Sequence, residues 1–271
     1  MAALLVSGFS LTPVAADLPT CPDKPWDRCF AGMENRKFKF TIDPWAQGRI
    51  IPFGKSGKEI GHSLQPSVTF IIEEILPGGK SIVKKIATDS LDSQAKPIAK
   101  QGQTDFTGKV TGDASFEGMV EFDKGTILLG GRLLAPGTLT QNPLRFGIRV
   151  YFPSAYRNAK KTEKDDAREF ARQIKGDRYT VGWTDGKQAK FNGGDKLDPE
   201  SKAANGPGIA QFRVDVEAFQ GATFEFRADP NSKMLLWSRQ EQPFHEGFSI
   251  TWYPDPAKDP EAKARIRIAV K

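Results

Sequence analysis

Residues 116–152, FEGMVEFDKGTILLGGRLLAPGTLTQNPLRFGIRVYF, constrain the fold more than any other part of the chain. Phe116, Gly118, Val120 and Phe122 alternate with Glu117, Met119 and Glu121, and Asp123-Lys124-Gly125 then supplies a turn. A second run, 126–134, is interrupted at Gly130-Gly131, and Ala135-Pro136-Gly137 breaks the pattern again. The last run, 144–152, puts Phe146, Ile148, Val150 and Phe152 on one face and Arg145, Gly147, Arg149 and Tyr151 on the other. Period-two alternation bounded by Gly, Pro and Asp is the mark of half-buried antiparallel strands. The stretch therefore reads as four consecutive short strands.

The same texture runs through most of the sequence. Strands are predicted at 36–42, with Phe38, Phe40 and Ile42 inward, at 50–53, and at 67–76, which turns through Pro77-Gly78-Gly79 into 81–88. Residues 89–104 are polar and read as a loop before a strand at 106–111. Further strands are predicted at 179–183, 210–216, 223–228, 233–238, 248–253 and 265–270, with 185–208 as a long polar loop. One segment has a different period. Ala167, Phe170, Ala171 and Ile174 recur at helical spacing, Thr162 and Asp165 resemble a capping box, and Gly176 is a stop signal, so an amphipathic surface helix is predicted at 162–175.

These elements predict an all-β fold of two packed antiparallel sheets, a sandwich or jelly roll, with that helix laid on a face or edge. The chain has 271 residues, 38% of them hydrophobic, enough for a sizeable core. Nineteen phenylalanines against four tyrosines suit pleated, buried surfaces. The expected organisation is a short N-terminal segment, 17–35, ahead of one β-rich domain, 36–271, whose texture changes near 155–178.

The first sixteen residues, MAALLVSGFSLTPVAA, read as a secretory signal: an apolar run, then Val14-Ala15-Ala16 with small residues at the cleavage positions. A secreted or periplasmic protein is expected. No other stretch approaches the ~20 apolar residues that span a bilayer. Cys21 and Cys29 are the only cysteines, and in an oxidising compartment a pair this close is expected to bridge, contributing at most about 2–3 kcal/mol.

Motifs that would carry familiar chemistry are missing. No G-x-S-x-G, H-E-x-x-H, C-x-x-C or EF-hand loop occurs, and five residues separate Gly48 from Gly54 where a P-loop has four. The only histidines are His62 and His245. Catalytic residues, metal and cofactor are therefore all expected to be none. The net charge of +6 is scattered, with no run of five like charges, which suits solubility better than a nucleic-acid track. Paired carboxylates on strands, among Glu73, Glu117, Glu121, Glu225 and Glu246, would be needed for glycoside hydrolysis.

The aromatic residues of the C-terminal third are more informative. Trp237, Trp252 and Tyr253, with Arg239, His245 and Glu246 between them, combine flat apolar surfaces with charged and hydrogen-bonding groups. Alternation places Trp252 with Ile250 on one face and Tyr253 with Ser249 and Thr251 on the other. These six residues are the candidate ligand-binding set, and a glycan or anionic envelope polymer is the expected partner. The reading is an exported, non-enzymatic binding protein. Its alternatives are a carbohydrate-active enzyme using paired carboxylates and an envelope structural or assembly protein.

Overall fold

The computed structural model describes residues 17–87, 89–156, 164–196, 206–238 and 242–271, with backbone alone at 164–167 and 170. In chain order the strands are β1 (Ala31–Glu34), β2 (Phe38–Ile42), β3 (Gln47–Pro52), β4 (Ser67–Ile75), β5 (Ser81–Lys84), β6 (Ile98–Ala99), β7 (Gly102–Lys109), β8 (Ser115–Asp123) and β9 (Thr126–Ala135). Then come β10 (Leu144–Phe152), the helix α1 (Lys164–Gly176), β11 (Arg178–Trp183), β12 (Gln188–Phe191), β13 (Ile209–Asp215), β14 (Thr223–Ala228), β15 (Ser232–Trp237), β16 (Phe248–Pro254) and β17 (Ile266–Val270).

Pairing arranges them in two layers, as the alternation predicted. The front layer runs β6–β1–β2–β3–β4–β10–β16–β15, with β5 continuing beside the far end of β4. The back layer runs β7–β8–β9–β17–β14–β13–β11–β12. Every pairing is antiparallel except β1 with β6. One register pair between named strands, Ile209 with Met234, ties the two layers along one side, and isolated bridges at Lys196–Pro243 and Ile86–Val110 add further ties among the described residues.

The phenylalanines fill the space between. Phe40 of the front layer meets Phe122 of the back at 5.9 Å, Phe70 meets Phe106 at 4.9 Å, and Phe152 meets Phe224 at 5.2 Å, each nearly edge-to-face. Such pairs contribute about 0.5–1.5 kcal/mol each beyond the area they bury. One apolar cluster extends from Leu18 to Val270. The outer face of the front layer is partly covered at its β1–β2 end, where Trp26 packs on Gly32 and lies under the Lys39 ammonium at 5.4 Å from the ring centroid. Across β4, β10, β16 and β15 that face presents the exposed Tyr151 and Trp237 above the buried Glu73, Ser249 and Thr251.

Several expectations are corrected. Residues 116–152 make three strands, because β9 runs straight through Gly130-Gly131. Gly131 (φ 147°) is needed there: the Phe146 ring and the Glu117 carbonyl occupy the place of a side chain. The polar stretch 89–104 contains β6 and the start of β7, and the loop 185–208 contains β12. These strands offer two to four residues before a turn, too few for a period to show. The helix spans Lys164–Gly176, so its expected cap, Thr162, lies outside the described residues, as do the side chains of Ala167 and Phe170. Of the predicted stripe, Ala171 is exposed and Ile174 half-buried.

The bridge expected between Cys21 and Cys29 is not formed: both are free and buried. Their main chains do pair, Cys21 N–H donating to the Cys29 carbonyl at 2.8 Å. The Cys21 thiol turns instead to the Ile98 carbonyl of β6, at 3.3 Å. Among the described residues no helix is long and apolar enough to cross a membrane. The signal-like residues 1–16 lie outside the described residues.

Candidate functional site

The open part of the front layer is a plane of outward side chains set by strand register. One row crosses β3, β4, β10, β16 and β15 as Arg49, Ser67, Tyr151, Ser249 and Trp237. The next crosses the same strands as Gln47, Thr69, Arg149, Thr251 and Leu235. Inward neighbours such as Phe70, Ile148, Val150 and Ile250 are fully buried, so burial of one face fixes which residues reach the other.

Tyr151 and Trp237 flank Ser249 from opposite sides, two strand spacings or about 10 Å apart. They are 45% and 47% exposed, and Trp45, in the turn leading into β3, is 58% exposed. Among the described residues these three are the only exposed aromatic side chains, and all belong to this layer. Ser249 lies between Tyr151 and Trp237 and Thr251 in the next row, both low in the plane at 2% exposed.

A charged network stands next to this row. Glu73 of β4 is almost fully buried, its side chain 2% exposed. Its Oε2 accepts from Arg145 Nε at 2.8 Å and from the Tyr253 hydroxyl at 2.9 Å, and its Oε1 accepts from Arg149 Nη2 at 2.8 Å. Arg149 Nε also donates to Thr251 Oγ1 at 3.3 Å. The Arg145 guanidinium lies 3.9 Å from the Tyr253 ring centroid, a cation–π contact that fixes both. The ring has room because Gly147 lies beneath it, where a Cβ would come within 2.9 Å of the ring edge. Burial, and then the Glu73 charge, push the Tyr253 phenol well above its usual range, so it stays a donor.

The structure separates the six candidate residues. Trp237 stands on the open face, and Tyr253 belongs to it through the Glu73 network although only 6% exposed. Trp252 is not a ligand contact: it is 0% exposed and faces the interior, paired between Ile148 and Met234. His245 and Glu246 occupy a short 3-10 turn, Phe244–Glu246, just ahead of β16 at the Trp237 end. His245 Nδ1 donates to the Gly193 carbonyl at 2.7 Å, so the ring fastens this turn to the loop after β12. The Glu246 carboxylate is 42% exposed, 3.8 Å from His245 Nε2. Arg239 lies outside the described residues. No cluster of three or more potential metal ligands occurs among the described residues.

Sequence reasoning missed Tyr151, Arg145, Arg149 and the hydroxyl row as site residues. Alternation had put Arg145, Arg149 and Tyr151 on one face of β10 and Ser249, Thr251 and Tyr253 on one face of β16. The missing signal was the pairing of β10 with β16, which joins the two sets across about 100 residues of sequence.

No protein-family model matches the chain, and no curated protein matches it in sequence. Solved structures do match in fold. An α-N-acetylgalactosaminidase, NagBb from Bifidobacterium bifidum, in complex with GalNAc, superposes with a TM-score of 0.54 at 11% identity over 89% of this chain. Its complex with Gal-NHAc-DNJ gives 0.53 at the same identity and coverage. The chain spans 36% of that enzyme's length. The likeness is one of fold alone.

Proposed function

We propose that the open face of the front layer binds a glycan, with Trp237 and Tyr151 as stacking platforms. The observation that carries this reading is the segregation of exposed aromatics. Tyr151 and Trp237 share one row with a serine between them, and no exposed aromatic among the described residues lies outside this layer. Aromatic faces cover the apolar faces of sugar rings, and the guanidinium of Arg149 beside them can orient sugar hydroxyls through hydrogen bonds. Two platforms separated by one strand favour an oligosaccharide over a single sugar.

The fold resemblance to part of a glycosidase gives the reading a carbohydrate context. Binding without hydrolysis is the form proposed. Glu73, the one carboxylate at the centre of the face, has both oxygens engaged by two guanidiniums and a phenol. Its role in this reading is to set the direction of Arg145 and Arg149. Secretion or periplasmic residence, suggested by residues 1–16, belongs to the same proposal.

The test is a glycan array probed with the wild-type protein and with Tyr151→Ala and Trp237→Ala. Retention of a defined glycan, weakened about tenfold or more by either substitution with an unchanged thermal midpoint, is the expected outcome. Retention indifferent to both substitutions would remove the stacking face from consideration.

A further inference from the structure

We infer that the glycan recognised by this face is acidic, carrying carboxylate or sulfate groups. This rests on the glycan reading above and adds its charge. The outward positions of β1, β2, β3, β4, β10, β15 and β16 hold five cations, Lys39, Arg49, Arg145, Arg149 and Lys233, against two carboxylates, Glu34, which stands opposite Lys39 at the β1 edge, and the central Glu73. The Glu73 carboxylate is buried beneath two guanidiniums and can neutralise only one of them.

Arg149 shows where the surplus is directed. Its Nε is held by Thr251 and its Nη2 by Glu73, while Nη1 has no partner among the described residues. The side chain is 27% exposed and stands one row from Tyr151, Ser249 and Trp237. A fixed guanidinium edge with unused donors, opening beside a stacking platform, matches an oxyanion through paired, charge-assisted hydrogen bonds. Arg49 stands in the same row as Tyr151, and Lys233 stands opposite Tyr253. An anionic ligand lying along the row would meet Arg49 at one end and Arg149 one row from its middle, with Lys233 two rows from the Trp237 end. A neutral glycan would bring no counter-charge to Arg49 or Lys233, and none to the surplus that Arg145 and Arg149 share over Glu73.

The experiment uses an array printed with uronic-acid oligosaccharides and their methyl esters, which share a backbone and differ in charge. It is read at low and high salt for the wild type, Trp237→Ala, Arg49→Gln and Lys233→Gln. Neither Arg49 nor Lys233 contacts Glu73, so the two glutamine variants leave the buried network intact. Acids retained at least tenfold more strongly than esters are expected, with the preference shrinking at high salt. Each glutamine variant should lower retention of acids several-fold and leave esters unchanged. Acids and esters retained equally, with both lost in Trp237→Ala, would overturn the acidic preference and leave the glycan reading standing. Retention of no glycan, or of acids alone with no response to Trp237→Ala, would overturn both.

Discussion

The Tyr253 hydroxyl donates to Glu73 Oε2 at 2.9 Å, joining residues 180 positions apart at the centre of the open sheet face. The bond closes a network in which one buried carboxylate serves two guanidiniums. Removing the acid leaves two like charges facing each other with nothing between them. Glu73→Ala should therefore lower stability by about 2–4 kcal/mol, below the full cost of a broken buried pair because both arginines are partly solvated. Tyr253→Phe removes one hydrogen bond and should cost about 1 kcal/mol. Urea denaturation measures both, and two equal effects would show that the carboxylate is not the centre of the network.

The two tryptophans on β15 and β16 should behave oppositely. Trp252 is fully buried between Ile148 and Met234, so Trp252→Ala should cost about 3–5 kcal/mol. Trp237 is 47% exposed, so Trp237→Ala should change the thermal midpoint by little. Differential scanning of the two variants decides it, and equal losses would place Trp237 in the core.

That contrast also shows how far the sequence could be read. Alternation along FSITWY separated Trp252 from Tyr253 correctly, because a two-residue period admits only two faces. The two-sheet architecture followed from the same period, repeated along the chain. Alternation within a strand, however, says nothing about its neighbours. The row Arg49–Ser67–Tyr151–Ser249–Trp237 is assembled from five strands by pairings that include the long-range ones of β10 with β4 and β16, and no local pattern announces it. The buried role of Glu73 was hidden for the same reason: on paper it is an outward residue of an alternating strand, and only the arrival of β10 and β16 covers it. His245, read as a ligand contact, also fastens its turn to Gly193, 52 residues away, a bond no local pattern announces.

A pH dependence should arise at the end of the helix. Asp177 is 1% exposed and accepts from the Tyr156 hydroxyl at 2.9 Å and from Glu217 N–H at 3.1 Å. Burial pushes its carboxyl up to about 6, against a usual value near 4. The folded state thus favours the protonated acid. Its stabilising contribution is complete below about pH 4 and is lost as pH rises through about 6, the reverse of a salt-bridged carboxylate. Asp177→Asn keeps the shape without the charge. The thermal midpoint of the variant minus that of the wild type should therefore rise between pH 4 and pH 7. A flat difference across that window would assign the carboxyl an ordinary titration.

The cysteines should titrate as two protected thiols. Burial pushes both Cys21 and Cys29 up, which keeps the reactive thiolate scarce. An alkylating reagent should therefore label the native protein slowly, and label both residues at once in denaturant without any reductant. Labelling in denaturant that appears only after reduction would show that a bridge forms.

The guanidiniums of Arg145 and Arg149 are held in place before any ligand arrives, one stacked on Tyr253 and both tied to Glu73. A free arginine carries about 2 kcal/mol of rotamer entropy. Here much of that freedom is already surrendered when the chain folds. A molecule settling on this face would not have to immobilise those side chains itself, so preorganisation, more than contact area, should govern how tightly it is held.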